Sequence, residues 1–282
     1  MFNLFSLNKY VVDFDPFIIK FPEGFFIEGI RWYGFAYLAG FIIGMYLLNL
    51  YTKKNRSKLS LDDNSSLVVY MLFGVMIGGR LGYMLFYNLG EFLANPLSLF
   101  QVWKGGMASH GGFIGVVIGI ALFARKHKLK FFYVGDLIVS VASLGILFGR
   151  LANFINGELW GKISDSPLAM IFPNSQSGVP VEAILPRHPS QLYEALSEGL
   201  LLFIYMQYRI WRGNLKVGIL SAHWLIIYAI SRIVCEIFRE PDRGISLILG
   251  MSRGTFYSVL TLLAGIAILI YVKKNETEFL VK

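Results

Sequence analysis

The chain has 282 residues, of which 55% are apolar and only 16% charged, with a mean hydropathy of +0.58 and a formal net charge of +8. A soluble domain carries roughly 25% charged residues, so this chain has too little polar surface to wet a globule, and disordered, fibrous and disulfide-stapled classes are excluded with it. Cys235 is the single cysteine and has no intramolecular partner, and Lys and Arg in so apolar a chain point to cytoplasmic loops rather than to nucleic acid.

Residues 1–30 include Asp13, Asp15, Lys20, Glu23 and Glu28. They lack the basic start and continuous apolar run of a cleaved signal peptide, and are expected to form an outer arm. Nearly charge-free stretches then run from Trp32 to Thr52, Asn64 to Asn88, Gly105 to Ala124, Leu137 to Phe154, Gly199 to Tyr208, Val217 to Phe238 and Gly254 to Val272. A bilayer crossing needs about 20 apolar residues. Extended by apolar neighbours, the stretches predict an all-α polytopic membrane protein with seven transmembrane helices in one integral-membrane domain, 1–282. The fifth is the weakest, reaching full length only by including Leu192 to Leu202, with Glu194 and Glu198 near one end.

Basic residues cluster after alternate spans: Lys53, Lys54, Arg56 and Lys58 after the first, Arg125, Lys126, Lys128 and Lys130 after the third, Arg209, Arg212 and Lys216 after the fifth, Lys273, Lys274 and Lys282 after the seventh. The positive-inside rule makes those loops cytoplasmic, with the N-terminus outside and the C-terminus inside. Residues 89–104, with Phe92, Leu93, Leu97, Leu99, Phe100 and Trp103, read as an interfacial amphipathic arm. Residues 156–189, broken by Pro167, Pro173, Pro180, Pro186 and Pro189, read as a small extracytoplasmic cap. Glycines four apart, such as Gly40 and Gly44, Gly74 and Gly78, and Gly115 and Gly119, suit close helix packing in lipid.

Ionisable residues inside spans cost roughly 2.5–3.5 kcal/mol each at mid-membrane and by default mark function. They are Arg80, Asp136, Arg150, Arg232 and Glu236. The three arginines fall in the last third of the second, fourth and sixth spans and so converge on the outer side, whereas Asp136 lies apart at the cytoplasmic start of span four. Convergent guanidinium groups need counter-charge. Glu236, four residues after Arg232, and Glu158, beyond Arg150, supply part of it, and the remainder invites a phosphate. Arg80, preceded by Gly78 and Gly79, is the one of the three that also reads as structural.

His110 lies within the Gly105 to Gly112 run at the outer start of span three, where close backbone approach and free N–H groups favour anions. An imidazole changes protonation near neutral pH and suits a base; His188, before span five, competes for that role. Arg150 and Asn153 are three apart on one helical face, and Asn156-Gly157 reads as a helix stop that throws Glu158 across the mouth of the bundle. Tyr228 and Arg232 share a face. Tyr33 reads equally as an interfacial belt residue or a substrate contact. Scattered histidines without a ligand-spaced pair argue against a metal site.

These residues carry a resemblance. Gly149 to Gly161 fits the signature G-R-x-[GA]-N-F-x-N-x-E-x-x-G at every fixed position, and Arg31 to Gly34, Gly78 to Gly82, the His110 segment, Arg187 to Tyr193 and Tyr228 to Glu236 extend the match. The chain resembles the bacterial prolipoprotein diacylglyceryl transferases. The resemblance implies a multi-pass enzyme of the bacterial cytoplasmic (inner) membrane, with its active site toward the extracytoplasmic side. It implies transfer of the diacylglyceryl group of phosphatidylglycerol to the lipobox cysteine of a prolipoprotein signal peptide, with glycerol phosphate departing and no cofactor or metal. It also implies that Arg150 and Arg232 grip the phosphate and His110 takes the thiol proton. Asn153, Glu158 and Tyr228 would orient headgroup and arginines, Gly161 would keep the rim compact, and Tyr33 would help hold lipid or peptide, with Arg80 and Glu236 completing the substrate site.

Apart from the resemblance, a transporter or flippase for an anionic solute is the competing class. Ionisable groups confined to one end, with Asp136 alone in the inner half, favour an enzyme. An acyl-carrying Cys235 is the minor alternative, against inert packing of a buried thiol.

Overall fold

The structure, a computed structural model, describes residues 9–22, 24–25, 28–101, 105–241, 247–275 and 278–281, and of Ser109 the backbone alone. The arm positions 1–8, Glu23, 26, 27, Trp103 and Lys104, and the terminal Lys282, lie outside the described residues. Two short strands, β1 (Phe17–Lys20) and β2 (Gly29–Arg31), pair antiparallel and lead into α1 (Trp32–Lys53). There follow α2 (Leu61–Phe86), α3 (Leu89–Ala94), a 3-10 turn (Pro96–Phe100), α4 (Ser109–Lys126) and α5 (Phe131–Ile155).

The fifth predicted stretch is longer than the sequence suggests. α6 (Ser190–Glu194), a π-helical segment (Ala195–Leu201) and α7 (Leu202–Arg212) follow one another without a gap, so Glu194 and Glu198 lie inside a continuous helical run. The chain closes with β3 (Leu215–Lys216), α8 (Ile219–Glu236), α9 (Arg253–Lys274) and β4 (Phe279–Val281), which pairs with β3.

Among the described residues, five helices, α1, α2, α5, α8 and α9, are long and apolar enough to cross a membrane, and the protein is a mostly helical, multi-pass membrane protein. Side chains such as Phe35, Leu38 and Ile42 on α1 and Leu260 and Leu263 on α9 face outward, as a surface solvated by lipid requires. Helix ends follow local chemistry. Ser60 and Asp63 form a reciprocal capping box at the start of α2, each side chain accepting from the other's backbone N–H at 3.0 Å. Cations sit in the last turns of α1, α4, α7 and α9, where the helix dipole favours them.

The chain divides into two compact units, residues 45–138 and residues 1–44 with 139–282. In the first unit, glycines let α2 and α4 touch backbone to backbone: a Cβ on Gly115 would stand 1.9 Å from the Gly74 carbonyl oxygen, and one on Gly111 2.2 Å from that of Gly78. Fully buried Asn64 donates to Asn49 at 3.0 Å and to Thr52 at 2.9 Å. In the second unit, Trp224 donates from α8 to Ser143 of α5 at 2.9 Å, and Gly199 brings the π-helical segment onto α5, where a Cβ would meet Leu147 Cα at 2.7 Å. Residues 156–189 hold two 3-10 turns (Pro173–Ser175 and Val181–Ala183) and isolated bridges of Ile163 and Met170 to Arg187.

Candidate active site

Most of the expected site residues gather in the second unit. Arg150, near the end of α5, places Nε 2.9 Å from Glu194 Oε2 and a terminal nitrogen 3.6 Å from Glu198 Oε2. Arg232, on α8, bonds Glu194 Oε1, stands 3.8 Å from Glu198 Oε1 and pairs with Glu236 Oε2 at 2.8 Å. Arg239, three residues past α8, approaches Glu194 Oε1 at 3.5 Å. Glu194 and Glu198 are wholly buried, whereas the arginine side chains of 150 and 232 keep 19% and 11% exposure. Glu194 and Glu198 are therefore the most deeply buried members of the cluster, and Arg150, Arg232 and Glu236 keep partial exposure. Ser252, the N-cap of α9, donates to Glu236 at 2.8 Å and anchors that end.

A second cluster adjoins the first through sequence. Tyr33 donates to Glu158 Oε1, and Asn153 donates to the Tyr33 hydroxyl and, at 2.9 Å, to the same Glu158 oxygen. Tyr33 also stacks on Tyr37, with centroids 6.4 Å apart. This corrects the expected pairing of Glu158 with Arg150. α5 does stop at Ile155, with Gly157 at φ +61°, but Leu159 follows at φ +57° and the Glu158 N–H returns to the Asn153 carbonyl at 3.1 Å. The loop folds back on its own helix, so Glu158 serves Asn153 and Tyr33, and the counter-charge of Arg150 comes from Glu194 and Glu198.

Gly161 sits where no side chain fits, a Cβ meeting the Phe238 and His188 carbonyl oxygens at 2.5 and 2.6 Å. Its own carbonyl accepts from buried Arg187 at 3.1 Å. His188 Nδ1 lies 3.1 Å from the Tyr193 hydroxyl, and burial pushes its pKa below the ordinary imidazole value. Tyr228, one turn before Arg232, stacks on Trp224 with centroids 5.0 Å apart. Cys235 is buried with Sγ 3.2 Å from Ser197 Oγ, a packed thiol. A cavity of about 790 Å³ beside Trp160, Asn174 and Gln176 is lined by uncharged side chains.

Arg80 and His110 belong to the first unit. The guanidinium of Arg80 is enclosed by four backbone carbonyls: Ser98 at 2.6 Å, Leu99 and Gly106 at 3.1 Å, and Gly105. Gly105 and Gly106, at φ +76° and +82°, turn their carbonyl groups to this arginine, so that part of the expected anion rim binds a cation instead. With its donors engaged and 5% exposure, Arg80 has the surroundings of a structural residue. His110 is the exposed second residue of α4.

The sequence reading passed over Glu194, Glu198 and Arg239. The available signal was the spacing of Glu194 and Glu198, four apart inside an apolar run, which puts two unexplained carboxylates on one face.

Known proteins resemble this chain over most of its length. The sequence profile of the family described as Prolipoprotein diacylglyceryl transferase matches residues 22–271. A protein of Photorhabdus laumondii named phosphatidylglycerol--prolipoprotein diacylglyceryl transferase is 42% identical, covering 95% of this chain and 97% of its own. Similar proteins with the same name occur in Idiomarina loihiensis, 44% identical over 87% of this chain and 90% of its own, and in Proteus mirabilis, 40% identical over 92% and 95%.

Proposed function

The chain belongs to the prolipoprotein diacylglyceryl transferase family, and on that premise we propose that its buried arginine and carboxylate cluster is where a phosphatidylglycerol headgroup is gripped during transfer. The protein is a membrane transferase of lipoprotein biosynthesis that moves the diacylglyceryl group from phosphatidylglycerol to a prolipoprotein. The observation that supports the site assignment is the shared hold of Glu194 on Arg150 and Arg232, whose side chains keep 19% and 11% exposure while Glu194 keeps none.

In the proposed reaction a cysteine thiol of the prolipoprotein lipobox loses its proton to His110, and the thiolate attacks the glycerol carbon bonded to the phosphate oxygen. A carbon–sulfur bond forms, the carbon–oxygen bond breaks, and glycerol phosphate leaves with the bonding pair. Negative charge grows on the departing phosphate, and Arg150 and Arg232 stabilise it with preplaced donors. Tyr33, Asn153 and Glu158 hold the rim beside Arg150, Tyr228 packs the Arg232 side, Gly161 admits the close backbone contacts of the rim, and Glu236 holds the far nitrogen of Arg232. Arg80 holds backbone carbonyl groups of the first unit.

The proposed setting is the bacterial inner membrane. There the chain forms a single integral-membrane domain with seven crossings, the N-terminus and the 156–189 cap outside, the C-terminus cytoplasmic and the site near the outer leaflet. Basic clusters at the ends of α1, α4, α7 and α9 support this orientation. The experiment is incubation of purified protein with phosphatidylglycerol and a lipobox peptide carrying cysteine or serine, read by mass. Gain of one diacylglyceryl group on the cysteine peptide only is expected; gain on neither, or on both, overturns the reading.

A further inference from the structure

Three guanidinium groups, brought by α5, by α8 and by the segment after α8, meet at one carboxylate. Glu194 reaches all three arginines: Oε2 faces Arg150 at 2.9 Å, and Oε1 bonds Arg232 and faces Arg239 at 3.5 Å. Glu198 reaches two of them, at 3.6 and 3.8 Å, and Glu236 pairs with Arg232 at 2.8 Å. We propose that Glu194 is a positioning residue for the transfer reaction, holding Arg150 and Arg232 at the separation the headgroup phosphate requires.

The argument rests on the phosphate-site reading above and adds the group that sets its geometry. Among the described residues, Arg150, Arg232 and Arg239 are formally matched by Glu194, Glu198 and Glu236, so excess charge within the described cluster is not what draws a phosphate. What it offers is direction. Oε1 of Glu194 accepts from Arg232 on α8 and Oε2 ion-pairs with Arg150 on α5, which sets both guanidinium groups before any ligand arrives.

The carboxylate is itself held in place. Its helix is pinned at one end by Ser190, donating to the Leu159 carbonyl at 3.0 Å, and by Gln191, donating to the Glu158 carbonyl at 2.6 Å. At the other end Gly199 seats the π-helical turn against Leu147, a local departure from α geometry of the kind found at functional sites. Glu194 is fully buried and its carboxylate faces Arg150, Arg232 and Arg239, so it acts on substrate through them.

The test uses the full chain, purified in detergent, with phosphatidylglycerol and a lipobox cysteine peptide. Glu194→Gln keeps the shape and removes the charge, whereas Glu194→Asp keeps the charge and shortens the reach. Because a misplacement of about 1 Å can cost roughly 100-fold in rate, each folded variant is expected to lose at least about tenfold in kcat, with KM for phosphatidylglycerol within about threefold of wild type. Combining Glu194→Gln with Arg150→Lys should be little worse than the poorer single variant, as for residues acting as one unit. A kcat loss smaller than that in a folded variant, a loss carried by KM alone, or multiplicative effects in the double variant overturns the proposal. If Glu194→Gln does not survive purification, Glu194→Asp decides alone. If neither folds, Glu194 is a fold determinant and the proposal fails. Failure of the phosphate-site reading shows separately, as wild-type kcat in Arg150→Lys and Arg232→Lys.

Discussion

Tyr33 at the start of α1 and Glu158 in the loop after α5 stand 125 residues apart in sequence and share a direct hydrogen bond, phenol to carboxylate, with Asn153 donating to both. Tyr33→Phe removes one donor and one acceptor from this triangle while keeping the ring that stacks on Tyr37. A hydrogen bond to a charged group is worth about 1.5–3 kcal/mol, so transfer to a lipobox peptide should fall roughly 10- to 150-fold if the bond is realised in the transition state. The melting temperature in detergent should change little. Undiminished transfer by folded Tyr33→Phe would make the triangle a packing feature only.

His110 is proposed as the thiol base from its place at the start of α4. His110→Gln keeps a polar side chain and removes the imidazole proposed to accept the thiol proton. The rate of transfer should drop roughly 100-fold or more, within the usual range for general-base catalysis, and the remaining activity should lose the wild-type slope on the acid side of its pH profile. An unchanged profile would take His110 out of the mechanism.

His188 offers a different dependence on pH. Burial depresses its pKa in the fold, so the unfolded chain takes up its proton first as pH falls. Stability due to the neutral imidazole is complete above its ordinary value of about 6.5 and declines as pH drops through that value toward the lower folded one. Thermal melts in detergent between pH 7.5 and about pH 5 should show a falling melting temperature for wild type and a shallower fall for His188→Gln. Parallel curves would contradict the assignment.

Gly115 and Gly145 are a matched pair for packing. A Cβ on Gly115 would collide with the Gly74 carbonyl at 1.9 Å, whereas one on Gly145 meets nothing within 4 Å. Gly115→Ala should destabilise by about 1–3 kcal/mol or more, the usual cost of overpacking, and Gly145→Ala should melt near wild type. Equal stability of the two would mean that α2 and α4 do not need this contact.

Much of the helical framework was legible because lipid demands it: each predicted apolar stretch overlaps a helix, although the stretches ending at Asn88 and Phe238 and those beginning at Gly105 and Val217 overrun the helix ends, and the stop at Asn156-Gly157 falls where the sequence put it. Arg150, Asn153, Arg232 and Glu236 stood out because charge and amide are costly inside apolar runs. The partners of those residues were less legible. Glu158 lies close to Arg150 in sequence, yet two residues of positive φ turn it back onto Asn153, a backbone event that spacing does not encode. Glu194 and Glu198 were hidden in the least hydrophobic stretch, where they read as a frayed end. They matter because the π-helical segment and Gly199 carry them under Arg150 and Arg232. Arg80 satisfies itself on carbonyl groups of a loop whose glycines had suggested an anion site.

The central claim is that Arg150 and Arg232 together hold the phosphate of the lipid headgroup. Arginine-to-alanine changes would strand buried Glu194 and Glu198, a loss of about 3–5 kcal/mol in itself, so lysine, which keeps charge but not the fork, is the cleaner replacement. The direct measurement is calorimetric titration of purified wild type, Arg150→Lys and Arg232→Lys with glycerol phosphate. The account predicts binding by wild type that weakens roughly tenfold or more, about 1.4 kcal/mol, in each folded variant; equal affinity in all three would contradict it.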